Sequence, residues 1–289
     1  MLIKISSPIV LPVTRAMLKN YYKANQQPAQ LTEKRVLILA PHVDDETIGA
    51  GGTIQLHKQN GAKIHCVFLT DGAKSQSNLT LEQLMEQRKE EAKKVQQLLD
   101  IDELSFYDLP DGQVDSNPHS QQLLENTIET FKPDVIYCPT FIDCHNDHVA
   151  TGRIVADVLA EMPNEQPKIR LYEINCLIPP KYINCVVDIS STFEKKLAAI
   201  EIFRSQAIDF DGFIELSKLK TGLLTEKVKA VETFYELPKL DFIRIYQQLD
   251  TEAHNYSSYF KQVNKAETLL WGTFKNEQLK RSLYEKGRG

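Results

Sequence analysis

The sequence predicts an α/β fold, and three observations carry that prediction. Arg35–Ala40 (RVLILA) is a continuous apolar run behind the charged pair Glu33-Lys34, as expected of a strand buried on both faces. Similar runs recur at Lys63–Thr70, Leu104–Leu109 and Asp134–Cys138. Helical stretches separate them, the longest running from about Thr80 to Leu99. Strands that alternate with helices pair in parallel through right-handed crossovers, which cover both faces of the sheet. The expectation is a Rossmann-like three-layer sandwich with a mostly parallel sheet and a C-terminal helical extension.

Each element has a local reason. The segment from Asp45 to Asn60 carries Ile48, Ile54 and Leu56, stops at Asn60-Gly61, and contains Gly49-Ala50-Gly51-Gly52. These glycines do not make the GxGxxG spacing of a dinucleotide loop, so they read as close packing of helix on sheet. Thr80 and Gln83 are spaced as a capping box, and Leu81, Leu84, Met85, Ala92, Val95, Leu98 and Leu99 form one stripe behind them. After Arg170 the segments LYEINCLIP and CVVDIS read as further strands. Ser191–Arg204, Leu216–Tyr235 and Leu237–Gln248 read as helices. Prolines 8 and 12 interrupt the apolar stretch Ser6–Val13, so residues 1–34 are expected to form an extended arm or a peripheral contact. Residues 35–250 read as one domain and 251–289 as a helical appendage.

Composition excludes some function classes. A formal net charge of −5 over 289 residues, without a long Lys/Arg block, argues against a nucleic-acid partner. No apolar stretch approaches the length of a transmembrane segment. The five cysteines are odd in number, lack a CxxC pair and sit mostly in apolar runs, which points to reduced thiols and a cytoplasmic setting.

Two clusters carry chemistry. Directly after the first strand comes Pro41-His42-Val43-Asp44-Asp45-Glu46, and after the fourth comes Asp143-Cys144-His145-Asn146-Asp147-His148. Adjacent carboxylates repel unless a cation compensates, so the first cluster is either an acidic turn capping a helix or half of a metal site. Position favours the metal site. In a doubly wound sheet the first and fourth strands are neighbours where the strand order reverses, and ligands bind outside their carboxyl ends. Catalytic zinc takes three protein ligands and leaves a position for water. His42, Asp45 and His148 supply such a set. Two histidines and one carboxylate also describe non-haem Fe(II) oxygenases. Asp44 stays beside the set, placed to take a proton from an activated water, which is hydrolytic equipment.

At these residues the chain resembles the PIG-L/LmbE-like deacetylases. That family carries an AHPDDE signature after its first strand and an HPDH or HxDH signature after a later one. Here the motifs read PHVDDE and HNDH; Val43 and Asn146 replace prolines, which removes no chemical group. The likeness extends through Thr70-Asp71-Gly72, Arg88 with Glu91, Leu109-Pro110-Asp111-Gly112, Tyr172-Glu173, and Val187-Asp188-Ile189-Ser190 leading to Ser205-Gln206, about residues 35–235 in all. It implies that a divalent metal, Zn²⁺ or else Fe²⁺ or another ion, sits on His42, Asp45 and His148. It also implies that Asp44 is the general base, that His145 stabilises the oxyanion or protonates the leaving amine, and that Asp147 orients an imidazole. The implied substrate is a small molecule or glycan carrying N-acetylglucosamine, and a homo-oligomer is left open.

Other residues have two readings. Arg88 and Glu91 fall on the apolar stripe of their helix, where they either pair with buried charges or, as the family suggests for the arginine, reach a sugar. Asp111 is either a turn residue or a substrate contact. Cys144 reads as a pocket-wall thiol, with metal ligation the alternative. His57, His65, His119 and His254 lie away from both clusters and read as structural or surface residues. Two competitors remain for the whole chain. A non-catalytic sugar- or nucleotide-binding protein would need no stoichiometric metal, and an iron oxygenase would leave Asp44 without a role.

Overall fold

A computed structural model of the chain describes residues 3–73, 79–205, 208–249 and 256–286, with residues 3–9 described at the backbone. Helix α1 (Ile3–Tyr21) precedes strand β1 (Arg35–Ala40), α2 (Asp45–Gln59), β2 (Lys63–Thr70), α3 (Leu81–Leu99) and β3 (Glu103–Leu109). Then come α4 (Pro118–Phe131), β4 (Val135–Pro139), α5 (Asn146–Glu161), β5 (Lys168–Tyr172), β6 (Cys185–Asp188) and α6 (Phe193–Ile200). The chain continues through α7 (Asp211–Leu219), β7 (Val231–Leu237), α8 (Lys239–Gln248), α9 (Tyr256–Tyr259), α10 (Leu269–Phe274) and α11 (Glu277–Lys286).

The seven strands form one sheet in the order β3-β2-β1-β4-β5-β7-β6. The first five pair in parallel, while β7 runs antiparallel to both β5 and β6. Strand β1 lies between β2, through Arg35↔Lys63, and β4, through Val36↔Val135. The strand order reverses there, as the sequence predicts. Successive right-handed crossovers on either side of β1 must lie on opposite faces. Accordingly α2, α3 and α6 pack together as one layer, and α4, α5 and α8 as the other.

Two expectations need correction. Residues 3–21 are a helix rather than an extended arm, because Thr14, Leu18 and Tyr22 are buried against the body and Arg15 pairs with Glu215 at 2.5 Å. Tertiary packing here overrides the helix-breaking tendency of Pro8 and Pro12. The stretch Leu216–Tyr235 is not one helix: α7 ends at Leu219 and β7 begins at Val231. Val231, Thr233, Phe234 and Tyr235 are the β-branched and aromatic residues that suit a pleated, buried strand.

The small residues of α2 do what the sequence suggests. A Cβ on Gly49 would lie 2.4 Å from the Tyr172 ring, and one on Gly52 would lie 2.7 Å from Ile189. The helix is further pinned by a buried ion pair. Lys196 Nζ donates to the Ile48 carbonyl and to Glu232 at 2.7 and 2.6 Å, and the Glu232 carboxylate accepts the amides of Gly52 and Thr53. This fixes the helix whose first residue is Asp45. One buried apolar cluster runs from Leu18 to Tyr284 and includes Tyr256, Phe260 and Val263 of the C-terminal segment. Among the described residues, no helix is long and apolar enough to cross a membrane.

Candidate metal centre

Because β1 and β4 are neighbours, the loops at their carboxyl ends meet. His42 Nδ1 lies 3.2 Å from Asp45 Oδ2. His148 Nε2 lies 3.3 Å from the same oxygen and 3.3 Å from His42 Nδ1. The three donor atoms therefore form a nearly equilateral triangle. A tetrahedral ion with bonds of about 2.0–2.1 Å holds its ligand atoms roughly 3.3–3.4 Å apart, so this donor set fits a zinc-sized ion. Other groupings also exist, in which donors of His42, His145 and His148, or of His42, Asp111, His145 and Asp147, lie within 4.8 Å of one another.

Carboxylates back both imidazoles. His148 Nδ1 faces Asp143 Oδ1 at 3.3 Å, and Asp143 is itself held by the side-chain and backbone amides of Asn175 and the backbone amide of His145. His42 Nε2 faces Asp147 Oδ2 at 3.2 Å and Asp111 Oδ1 at 3.4 Å. Such outer carboxylates fix the ring orientation of a metal-bound histidine and raise its basicity. Asp147 accepts the amides of Gly112 and Val114 and lies 3.9 Å from His145 Nδ1, so the imidazole it orients most closely is that of His42.

The electrostatics call for a cation. Burial alone would lower the pKa of His148, but Asp45 and Asp143 outweigh it and hold the ring at about 10. Burial likewise opposes His42, which Asp111, Asp147 and Asp45 nevertheless raise well above the usual range. Burial pushes Asp45 up, but His148 and His42 hold it well below the usual carboxylate range. At both imidazoles the surrounding acids favour a positive charge, of the kind a metal ion supplies.

Two groups flank the triangle with different properties. Asp44, buried, is raised well above the carboxylate range by burial and by Asp45. Its φ of 139° lies in a region that side chains rarely adopt, and its amide donates to Glu46 at 3.1 Å. Strain of this kind costs roughly 1–3 kcal/mol and persists where the surroundings over-determine it. His145 caps α5, and its Nδ1 accepts the Asp147 amide at 3.3 Å. That bond leaves the ring proton on Nε2. Burial and the neighbouring His42 and His148 lower His145 to about 4, so it is neutral near pH 7.

The chain is similar to known proteins over the region that carries this site. The family profile described as GlcNAc-PI de-N-acetylase (PIG-L) matches residues 37–159, which contain both motifs. The chain is 30% identical to a probable N-acetyl-alpha-D-glucosaminyl L-malate deacetylase 2 of Bacillus cereus, over 60% of this chain and 84% of that protein. The chain belongs to the PIG-L family. The PIG-L chain is also 30% identical to the Bacillus anthracis protein of the same description, over 47% of this chain and 64% of that protein, just short of two thirds of its length. A 4-oxalmesaconate hydratase of Pseudomonas putida is 24% identical over 63% of this chain and 78% of its own. Among solved structures, the N,N'-diacetylchitobiose deacetylase of Pyrococcus horikoshii superposes with a TM-score of 0.63 at 25% identity, covering 73% of this chain and 86% of that one.

His42, Asp44, Asp45, His145 and His148 open into a cavity of about 210 Å³. Arg88 and Asp111 both line it. Arg88 is buried, donates through Nη1 to the Gly72 carbonyl, and lies 3.8 Å from Asp111 Oδ2, so it faces a buried acid and the cavity at once. Gly72 has a φ of 68°, and a Cβ there would lie 2.6 Å from the guanidinium. Asp71 in turn accepts the Asp111 amide. Glu91 is absent from the lining and instead accepts the Ser205 amide and hydroxyl at 3.0 and 2.5 Å. Glu173 pairs with Lys220.

The remaining sequence candidates lie elsewhere, and Cys144 does not line the cavity as expected of a pocket-wall thiol. Cys144 Sγ sits 3.4 Å from Cys176 Sγ and joins none of the donor groupings found among the described residues. His57 bonds Tyr137 and His65 bonds Ser105, both buried, while His119 is exposed. His254 and Gln206 lie outside the described residues. Sequence reasoning gave no role to Asp143 or Asn175. It also missed Phe213, Gln262 and Asn264, which line the cavity from distant segments without any local motif.

Proposed function

We propose that this PIG-L chain is a zinc-dependent N-deacetylase that hydrolyses the N-acetyl group of an N-acetylglucosamine-type conjugate, yielding acetate and a free amine. The donor triangle of His42 Nδ1, Asp45 Oδ2 and His148 Nε2 carries the reading, together with Asp44 beside it. These three residues would hold a divalent ion, which would supply Lewis acidity for the amide carbonyl and for the activation of water. Asp44 takes the proton of the attacking water, helped by a raised proton affinity. The neutral His145, with its proton on Nε2, donates to the developing oxyanion or gives that proton to the departing nitrogen. Asp147 and Asp143 hold His42 and His148 in orientation. Arg88 and Asp111 contact the sugar.

Acetate release from a panel of N-acetylglucosamine conjugates with added Zn²⁺ tests this. Turnover is expected to vanish with a chelator and in Asp44→Ala; full activity of a metal-free preparation overturns the reading. The Pseudomonas relative gives a second reading some support, because a metal ion and a neighbouring carboxylate that activate water also serve the hydration of a carbon–carbon double bond. Acetate production separates the two.

A further inference from the structure

Gln262 and Asn264 stand on the connection between α9 and α10, far in sequence from both metal motifs, yet both line the cavity. Val263 between them is fully buried. The connection is fixed in place. The Gly212 amide donates to the Asn264 carbonyl at 3.0 Å. A Cβ on Gly212 would lie 2.1 Å from the Val263 carbonyl oxygen, and one on Gly272 would lie 2.7 Å from Val263 Cγ1. The strap thus lies flush against the first turn of α7, which also sends Phe213 into the lining.

The chemistry of this wall differs from that of the metal wall. Gln262 and Asn264 are uncharged amides that both donate and accept, the pattern that matches sugar hydroxyls. Phe213 and Ile174 add apolar surface beside them. Arg88 is the one lysine or arginine in the lining among the described residues; it stands on the metal side of the cavity, where it faces Asp111. A carboxylate lodged against Gln262, Asn264, Phe213 and Ile174 would find no lysine or arginine in that wall to pair with.

We infer that Gln262 and Asn264 form a subsite for a neutral, hydroxyl-rich aglycone, such as a second sugar, and that the strap selects neutral glycosides over carboxylate-bearing conjugates. The inference rests on the N-deacetylase reading for the reaction but concerns recognition, which is measurable without turnover. The test uses the full-length, zinc-loaded protein with N,N'-diacetylchitobiose, the malate glycoside of N-acetylglucosamine and N-acetylglucosamine itself. Binding is followed by calorimetry in an Asp44→Asn background, and acetate release in the otherwise native chain. The disaccharide is expected to bind at least about tenfold more tightly than the malate glycoside. The Gln262→Ala/Asn264→Ala pair should weaken disaccharide binding by about tenfold, the effect of losing two neutral hydrogen bonds, and should weaken the monosaccharide far less. Gln262→Lys should improve binding of the malate glycoside, a gain that misfolding does not produce. Equal binding of the two conjugates, equal losses on disaccharide and monosaccharide, or no gain in Gln262→Lys overturns the inference. Disaccharide that binds as expected but releases no acetate overturns the deacetylase reading and leaves the subsite standing.

Discussion

Asp143 Oδ1 and His148 Nδ1 stand 3.3 Å apart, while the other nitrogen of the same ring faces Asp45 and His42. Asp143 therefore sets the orientation of a proposed ligand without touching the ion. Removing such a carboxylate typically costs ten- to a hundredfold in metal affinity. Asp143→Asn is expected to raise the Zn²⁺ dissociation constant by about that factor, measured by chelator competition, with the far-ultraviolet dichroism unchanged. An unaltered affinity would remove Asp143 from the centre.

Asp44 is predicted to act on water rather than to bind the ion. Asp44→Asn should then lower kcat by about 10²–10⁴ while one Zn²⁺ per chain remains, as read by elemental analysis. If zinc is lost together with activity, Asp44 is a ligand and the assignment of Asp45 falls.

The parts of this protein that were legible from sequence are those with local physical causes. RVLILA and DVIYC read as buried strands because each is short, apolar and bounded by charge, and the crossover rules then place them side by side. That adjacency brings His42 to His148 across more than a hundred residues. Helix α1 was hidden because its prolines argue against it locally, whereas the contacts of Leu18 and Tyr22 that hold it are tertiary. Strand β7 was hidden because Leu216 to Tyr235 mixes two periodicities. Arg88 and Glu91 looked alike on one helix face, yet one reaches the cavity and the other binds Ser205, a difference set by loops that sequence does not position. Gln262 and Asn264 gave no signal because a neutral amide in a loop is ordinary on its own.

Gly49 and Gly51 are two residues apart on α2 but should respond differently to alanine. At Gly49 the added methyl would lie 2.4 Å from a Tyr172 ring that is fully buried and whose hydroxyl donates to the Leu39 carbonyl, so the ring has little room to yield. Overpacking of this kind costs about 1–3 kcal/mol. Gly49→Ala should lower the melting temperature by roughly 2–4 °C for each kcal/mol, and should reduce activity because α2 carries Asp45. At Gly51 the nearest atom would be 3.4 Å away. There alanine should be neutral or stabilising by up to about 1 kcal/mol, since it is the better helix former. Calorimetry on the two variants distinguishes them.

His57 gives the fold a defined response to acid. Its ring is buried against the Tyr137 hydroxyl at 2.9 Å, and burial, with the nearby Arg170 guanidinium, lowers its pKa from 6.5 to about 4. The folded protein thus binds this proton less readily than the unfolded chain. The contribution of the neutral ring is complete above pH 6.5 and is lost as the pH falls from there towards 4. At pH 5 the loss amounts to about 2 kcal/mol by linkage, an upper figure for a site that solvent reaches on local opening. His57→Gln keeps a hydrogen-bonding group beside Tyr137 but does not titrate. Urea unfolding of both proteins, in chelator, at pH 7.5 and pH 5.0 should show the stability of the native chain falling by more than that of the variant. Equal slopes would mean that His57 takes up its proton in the folded state at an ordinary pH, and that the acid response comes from other groups.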